Sequence, residues 1–334
     1  MTRRRNAAVL GAMAIATTAA MITPAAIAHH RAPYGPPYGG ALTSYSLPAS
    51  GVYPEGIAFE RDTRRFFVTS LTTGAVFRGT LNDPAVAEFL PGGADGRTNA
   101  VGVKADDDGH LFVAGGGTGK VWIYDSESGA LLFTFDNQKA GATFLNDLAI
   151  DPSGDVYVTD SSAPTLWKIP SEAYVTGAPV SAPMDAVPLG APYAQGEGFN
   201  ANGIVASRNG KYLLVVQSNT GKLYRVAVAD DSVKEVTLAG GTLANGDGLE
   251  LRGHTLYAIR NSDKLIVKIR LGGRFARGRI VSERTDPSFR FPTTLALAGR
   301  RALVVNSQFD RGGPAGPGTP ELPFTVSSVK LRGR

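Results

Sequence analysis

Six positions in this chain share a register, and four of them carry carboxylate or amide oxygens. Glu55, Ala100, Asn146, Asn202, Asp247 and Thr293 each stand just before a short apolar run, at intervals of 45, 46, 56, 45 and 46 residues. One glutamate, one aspartate and two asparagines offer two carboxylates and two amide carbonyls. Brought to one point, that set suits a hard cation, since Ca²⁺ takes roughly six to eight oxygens, waters included. Mg²⁺ and Mn²⁺ remain candidates, and Zn²⁺ is less natural with oxygens alone. Gly56, Gly203 and Gly248 each follow a ring residue, where a missing Cβ permits close backbone approach. In the third unit that place holds Asp147, a further carboxylate beside the centre. Asn-Gly and Asp-Gly are also common turn dipeptides. A register shared by four units, one of them supplying the poor turn residue Glu55, favours the cation site over turn chemistry.

The elements that must position these residues form a repeat. Its cleanest copy is LNDLAIDPSGDVYVTDSSAPTLWKI, residues 145–169. Leu148-Ala149-Ile150 reads as a strand, Asp151-Pro152-Ser153-Gly154 as a tight turn, Val156-Tyr157-Val158 as a second strand and Leu166-Trp167-Lys168-Ile169 as a third. Five further copies of this meander begin near Ile57, Val101, Gly203, Leu249 and Leu295. A period of about 40–50 residues built only of short strands indicates a β-propeller. The expected fold is therefore all-β, a six-bladed β-propeller. The sixth copy lacks a fourth strand, and Thr43–Leu47 near the N-terminus is expected to supply it and close the ring. The long interval contains residues 171–200, read as an insertion, and residues 191–201 could cover the mouth of the channel. In such a fold the innermost strands line a central channel, so equivalent positions meet around one axis.

The ends and the composition bound the function. Arg3-Arg4-Arg5, an apolar run from Ala7 and the small-residue site Ala26-Ile27-Ala28 read as a secretory signal peptide, residues 1–28, cleaved near Ala28. Residues 29–41 are a Pro-, Gly- and Tyr-rich lead-in, and residues 42–334 hold a single propeller domain. The expected location is secreted. The net charge of +5 falls to +2 when the three leader arginines go, and the remaining Lys and Arg are scattered. Nucleic acid is not an expected partner; a monomer acting on a small molecule, with no membrane span after cleavage, is. There are no cysteines, which excludes disulfides, thiolate metal sites and cysteine nucleophiles. Only His29, His30, His110 and His254 are present, too few and too dispersed for a multi-histidine metal site. Ser70, Ser161 and Ser307 lack a nucleophile-elbow context. The glycine run at 115–119 precedes no helix and reads as a strand connection. Asp160 either faces the mouth or caps the Ser161-Ser162 turn, and Glu197 reads as solvated.

With Pro54-Glu55-Gly56, Asn146-Asp147, Asn202-Gly203 and Asp247-Gly248 in that order and at blade spacing, residues 45–331 resemble the gluconolactonase, senescence-marker-protein (regucalcin) and luciferin-regenerating-enzyme family. That resemblance implies a six-bladed propeller with one divalent metal in the channel and, in several members, lactone hydrolysis. It implies Glu55, Asn202 and Asp247 as direct ligands, with Asn146 at the metal or in contact with substrate and water. The chain departs from the family at Phe144, where the sugar-lactone enzymes carry an arginine that contacts substrate. A phenylalanine there makes the pocket more apolar and argues against an aldonolactone. The related paraoxonase lactonases use a catalytic histidine that has no counterpart here. The implied chemistry is polarisation of a lactone carbonyl by the cation and attack by water, with Asp247 or Asp147 taking the proton. Two functions follow: a secreted metal-dependent hydrolase of a lactone or related ester, and a non-catalytic binding propeller with a structural metal site. A strictosidine-synthase-like lyase is a weaker third, because nothing marks its catalytic glutamate.

Overall fold

The middle strand Tyr212–Gln217, YLLVVQ, shows why the repeat closes into a ring. Leu213 and Val215 pack with Tyr157 and Leu166 of the preceding repeat, while Leu214 and Val216 pack with Leu249 and Leu256 of the following one. Its two faces are both buried, so the strand reads as a continuous apolar run rather than an alternation. The computed structural model describes residues 42–175, 181–314 and 316–331. The signal peptide 1–28 and the lead-in 29–41 lie outside the described residues.

Six sheets form, each antiparallel through its four main strands. Blade 1 runs through Pro54–Glu60, Arg65–Ser70, Val76–Thr80 and Val86–Leu90. Blade 2 runs through Val103–Ala105, His110–Ala114, Lys120–Asp125 and Leu131–Asp136. Blade 3 uses Leu145–Ile150, Val156–Asp160, Thr165–Ile169 and Asp185–Pro188. Blade 4 uses Ala201–Ala206, Tyr212–Gln217, Lys222–Ala227 and Val233–Glu235. Blade 5 uses Gly246–Arg252, Thr255–Arg260, Leu265–Leu271 and Arg277–Arg284. Blade 6 uses Pro292–Ala298, Arg301–Asn306 and Thr325–Lys330.

The expected closure is present. Ser44–Ser46 pairs antiparallel with Thr325–Lys330 in the register Ser44↔Ser327, Tyr45↔Val326 and Ser46↔Thr325. Tyr45 is fully buried between blades 6 and 1, stacks edge-on against Phe66 at 4.8 Å and donates its hydroxyl to the Leu81 carbonyl at 3.0 Å. One end of the chain thereby fastens the other. Six apolar clusters fill the six gaps between neighbouring blades, so the core is a ring of wedges around the channel.

The stretch 171–200, expected as a simple insertion, does structural duty for two blades. Asp185–Pro188 is the outer strand of blade 3, and Ser181–Pro183 adds to blade 2, parallel to Leu131–Asp136. Thr237–Ala239 extends blade 5 in the same way, parallel to Arg277–Arg284. These edge strands are three or four residues long and carry little pattern, which is why the sequence conceals them. Among the described residues no helix is long and apolar enough to cross a membrane.

Candidate functional site

The inner strands of blades 1, 3, 4, 5 and 6 enter the channel with the same irregularity. Pairing begins at Pro54↔Ser70 and resumes only at Ile57↔Val68. Equivalent breaks separate Leu145 from Leu148, Ala201 from Ile204, Gly246 from Leu249 and Pro292 from Leu295. The skipped residues begin with Glu55, Asn146, Asn202, Asp247 and Thr293. A bulge of this kind re-aims a side chain while keeping the strand. The ring residues therefore lie second in each inner strand, rather than ahead of it as the sequence suggests. Blade 2 also needs a correction. There Val103↔Val113 takes the place of Ile57↔Val68, so Val101 rather than Ala100 stands at the level of Glu55, and Val101 lines the cavity.

The glycines behind the ring admit neighbouring backbone. A Cβ on Gly56 would lie 2.3 Å from the Val101 carbonyl oxygen, and one on Gly203 would lie 2.2 Å from that of Asp247. Side chains there would force the inner strands apart and widen the ring.

Glu55, Asn146, Asn202 and Asp247 are all nearly inaccessible, and all four line one cavity of about 310 Å³ at the channel mouth. An outer set of polar residues, each just beyond the second strand of its blade, holds the inner set. Asn146 Nδ2 donates to Ser161 Oγ at 2.9 Å, and Asn202 Nδ2 donates to Ser218 Oγ at 3.0 Å. Asn261 Nδ2 donates to Asp247 Oδ2 at 3.0 Å, and Thr293 Oγ1 lies 2.6 Å from Ser307 Oγ. The serine protons are already committed: Ser161 Oγ donates to the Ala201 carbonyl at 2.7 Å and Ser218 Oγ to that of Gly246. Each serine can then only accept from its asparagine, which fixes both amides with Nδ2 on the serine, and the Asn202 side chain also hydrogen-bonds Asp247. Asn146 Oδ1 and Asn202 Oδ1 are left buried with no hydrogen-bond partner. A buried carbonyl oxygen without a donor is costly and uncommon. Sequence reasoning missed Ser218 and Asn261. The signal that finds them is a polar residue 14–16 positions after Asn146, Asn202, Asp247 and Thr293.

The electrostatics agree. Burial pushes Glu55 well above the ordinary carboxylate range, with Asp247 and Asp147 adding repulsion and Lys104 opposing. Burial raises Asp247 to about 7, against the Asn261 hydrogen bond and with help from the Asp147 charge. Carboxyls held this high have too little positive charge nearby. Two carboxylates and two orphaned amide oxygens are hard donors that fit a divalent cation. Among the described residues no trio of Asp, Glu or His gathers at one point, so the amides are indispensable to such a site.

The other candidates fall elsewhere. Asp147 does not line the mouth cavity. Its Oδ1 accepts the Leu148 N–H at 2.8 Å and its Oδ2 the Ile204 N–H at 3.3 Å, and it interacts with Lys104. Lys104 is in turn paired across the channel with Glu250 at 3.5 Å. Asn146 lines the cavity and Asp147 is taken up by backbone N–H groups, so the two neighbours have different roles. Asp160 is a cap: Oδ1 accepts the N–H groups of Phe144 and Ser162, each at 3.0 Å, and Oδ2 accepts Thr143 Oγ1 and Trp167 Nε1. It holds the Phe144 backbone in place. Glu197 is exposed, His110 pairs with Asp106 at 2.7 Å, and His254 stacks on Phe275. Phe144 does line the cavity, beside Phe199, Phe291 and Phe309, which sequence reasoning did not single out.

No family model matches the chain, and no curated protein matches it. Solved structures do. The major allergen Mala s 1 of Malassezia sympodialis aligns with TM-score 0.64 at 14% identity, covering 86% of this chain and 96% of that one. The calcium-binding protein regucalcin of Agrobacterium tumefaciens aligns with TM-score 0.59 at 14% identity, covering 84% and 92%. Virginiamycin B lyase of Staphylococcus aureus aligns with TM-score 0.58 at 10% identity, covering 86% and 98%. These likenesses show a shared propeller fold, one that carries both a lyase and a calcium-binding protein.

Proposed function

We propose that this chain is a secreted hydrolase of a lactone or related ester, with a divalent cation, most naturally Ca²⁺, held by Glu55, Asn146, Asn202 and Asp247. The observation that carries this reading is the pair of buried amide oxygens, Asn146 Oδ1 and Asn202 Oδ1, left without a hydrogen-bond partner in a cavity lined by two buried carboxyl groups. A cation bound there would supply polarisation of the substrate carbonyl and charge to offset a developing oxyanion. The chain's own residues do the rest. Ser161 and Ser218 keep the amides oriented. Phe144, Phe199, Phe291 and Phe309 present apolar faces that would shield part of a bound ester from water. Asp247, positioned by Asn261, is the carboxylate at the mouth that accepts a proton from the attacking water and returns it to the leaving alkoxide. Asp147, below the cavity with both oxygens bonded, supplies charge rather than proton transfer. Resemblance to the gluconolactonase and regucalcin family, and to the calcium-binding regucalcin fold, supports the cation.

A second reading, a binding propeller with a structural cation, is favoured by one observation: among the described residues the only cavity carboxylates are themselves members of the ring. The lyase fold neighbour is a poorer guide. A form of virginiamycin B lyase with one histidine replaced by alanine is catalytically inactive, and among the described residues no histidine lines this cavity. Hydrolysis of a lactone panel after chelation, and after return of Ca²⁺, Mn²⁺ or Zn²⁺, tests the proposal. Turnover that disappears with chelator, returns with one metal and is absent in Asp247→Ala is expected. Absence of turnover with every metal would transfer the site to the binding reading.

A further inference from the structure

The cavity above the ring has two aromatic jaws. Phe144 and Phe199 meet edge to face with ring centroids 5.3 Å apart, and Phe291 and Phe309 lie 6.0 Å apart. Phe144 enters with blade 3 and Phe291 with blade 6, and those blades stand opposite one another in a six-bladed ring. Both residues lie two positions before a ring residue, Asn146 and Thr293. The register that delivers oxygens to the axis thus delivers aromatic faces above them. Both placements are enforced. The Phe144 N–H is tied to Asp160, and Phe291 has a φ of 51°, a left-handed conformation that a bulky residue rarely adopts. Phe199 is 54% exposed although it borders the cavity. The wall from blades 4 and 5 is different in kind, carrying Ser218, Asn219, Asn245 and Asn261.

Charge and volume narrow the ligand. Among the described residues no lysine, arginine or histidine lines the cavity, whereas Glu55 and Asp247 do. No side chain there is built to pair a carboxylate or phosphate substituent, and the charge of a divalent cation would be balanced by Glu55 and Asp247. Hydroxyl groups laid against four phenyl rings would lose their water without gaining partners. A cavity of about 310 Å³ lies at the small end of the roughly 300–1,000 Å³ usual for small-molecule sites.

We infer that the ligand is a small neutral lactone or ester, carrying an acyl or aromatic substituent held between the Phe144–Phe199 and Phe291–Phe309 pairs, with its carbonyl directed at the ring. The orientation of the carbonyl rests on the hydrolase reading; the apolar substituent does not.

Binding to the full chain in Ca²⁺, measured by calorimetry, separates the two. The probes are δ-decalactone, neutral with an apolar tail, and glucono-δ-lactone, neutral and polyhydroxylated. Decalactone is expected to bind at least about tenfold tighter. Phe144→Ala and Phe199→Ala are each expected to weaken it by about five- to tenfold, the size of one aromatic contact, and to leave the gluconolactone affinity unchanged. Phe199 is largely solvent-exposed, so its truncation keeps the fold even where Phe144→Ala does not. Equal or tighter binding of gluconolactone, or decalactone affinity indifferent to Phe199→Ala, overturns the inference. Decalactone bound in this manner but never hydrolysed upholds it and overturns the hydrolase reading. Hydrolysis of gluconolactone without a preference for decalactone does the reverse.

Discussion

Without a cation, this protein is expected to lose stability as the pH rises. Asp247 titrates near 7 in the folded chain against an ordinary 3.8. Its carboxyl therefore holds a proton in the folded state over a window where the unfolded chain has released it. The unfolded state binds fewer protons there, so unfolding free energy falls with pH between roughly 4 and 7 and levels off above. Taking 1.36 kcal/mol per pH unit, Asp247 alone contributes a loss of up to ~4 kcal/mol. Glu55, raised by burial and the same neighbours, adds in the same direction. A cation bound between the two carboxylates offsets the loss, by ~2.7 kcal/mol at a hundredfold excess over its dissociation constant. Asp247→Asn removes the charge while Asn261 can still donate to the retained oxygen. The assay is urea or thermal unfolding of the chelated protein from pH 5 to pH 8, with and without Ca²⁺. In a chain of this size the expected fall in midpoint is roughly 5–10 °C, reversed by Ca²⁺. The Asp247→Asn protein should be the more stable of the two at pH 8 in chelator, with a flatter profile, and should gain nothing from Ca²⁺. A wild-type midpoint that is flat over this range, or an Asp247→Asn protein less stable than wild type at pH 8 in chelator, would refute the reasoning.

Three other outcomes are expected. Ser218→Ala frees the Asn202 amide to rotate and should lower Ca²⁺ affinity by about 10- to 100-fold, read by calorimetry, with β content by circular dichroism unchanged. Tyr45→Ala empties the gap between blades 6 and 1 and removes the Leu81 hydrogen bond, which should cost ~3–5 kcal/mol in urea unfolding; a loss below ~1 kcal/mol would mean that the closing strand contributes little. Protein recovered from the medium of an exporting bacterial host should begin near His29 by mass spectrometry, and an intact Met1 end would exclude cleavage at Ala28.

The register of short strands is written in the sequence because each middle strand must bury both faces. Runs such as Leu213–Val216 and Phe66–Val68 therefore stand out, and their spacing sets the number of blades. The same spacing brings Glu55, Asn146, Asn202 and Asp247 to one level, because a ring of repeats superposes equivalent positions. The spacing alone puts Ala100 on that level; the Val103↔Val113 pairing puts Val101 there, followed by Gly102 as Glu55 is followed by Gly56. Sequence alone could not separate Asn146 from Asp147, two polar neighbours within one bulge, of which only the first lines the cavity while the second is held by the Leu148 and Ile204 N–H groups. The amide orientation that leaves two oxygens without partners is set by serines from other strands, Ser161 and Ser218, whose own protons go to the next blade. Phe291 shares with Phe144 a place two residues before a ring position, but Phe199 and Phe309 carry no such signal, and all three are far from Phe144 in the chain. Only the closure of the ring brings their faces over the same axis.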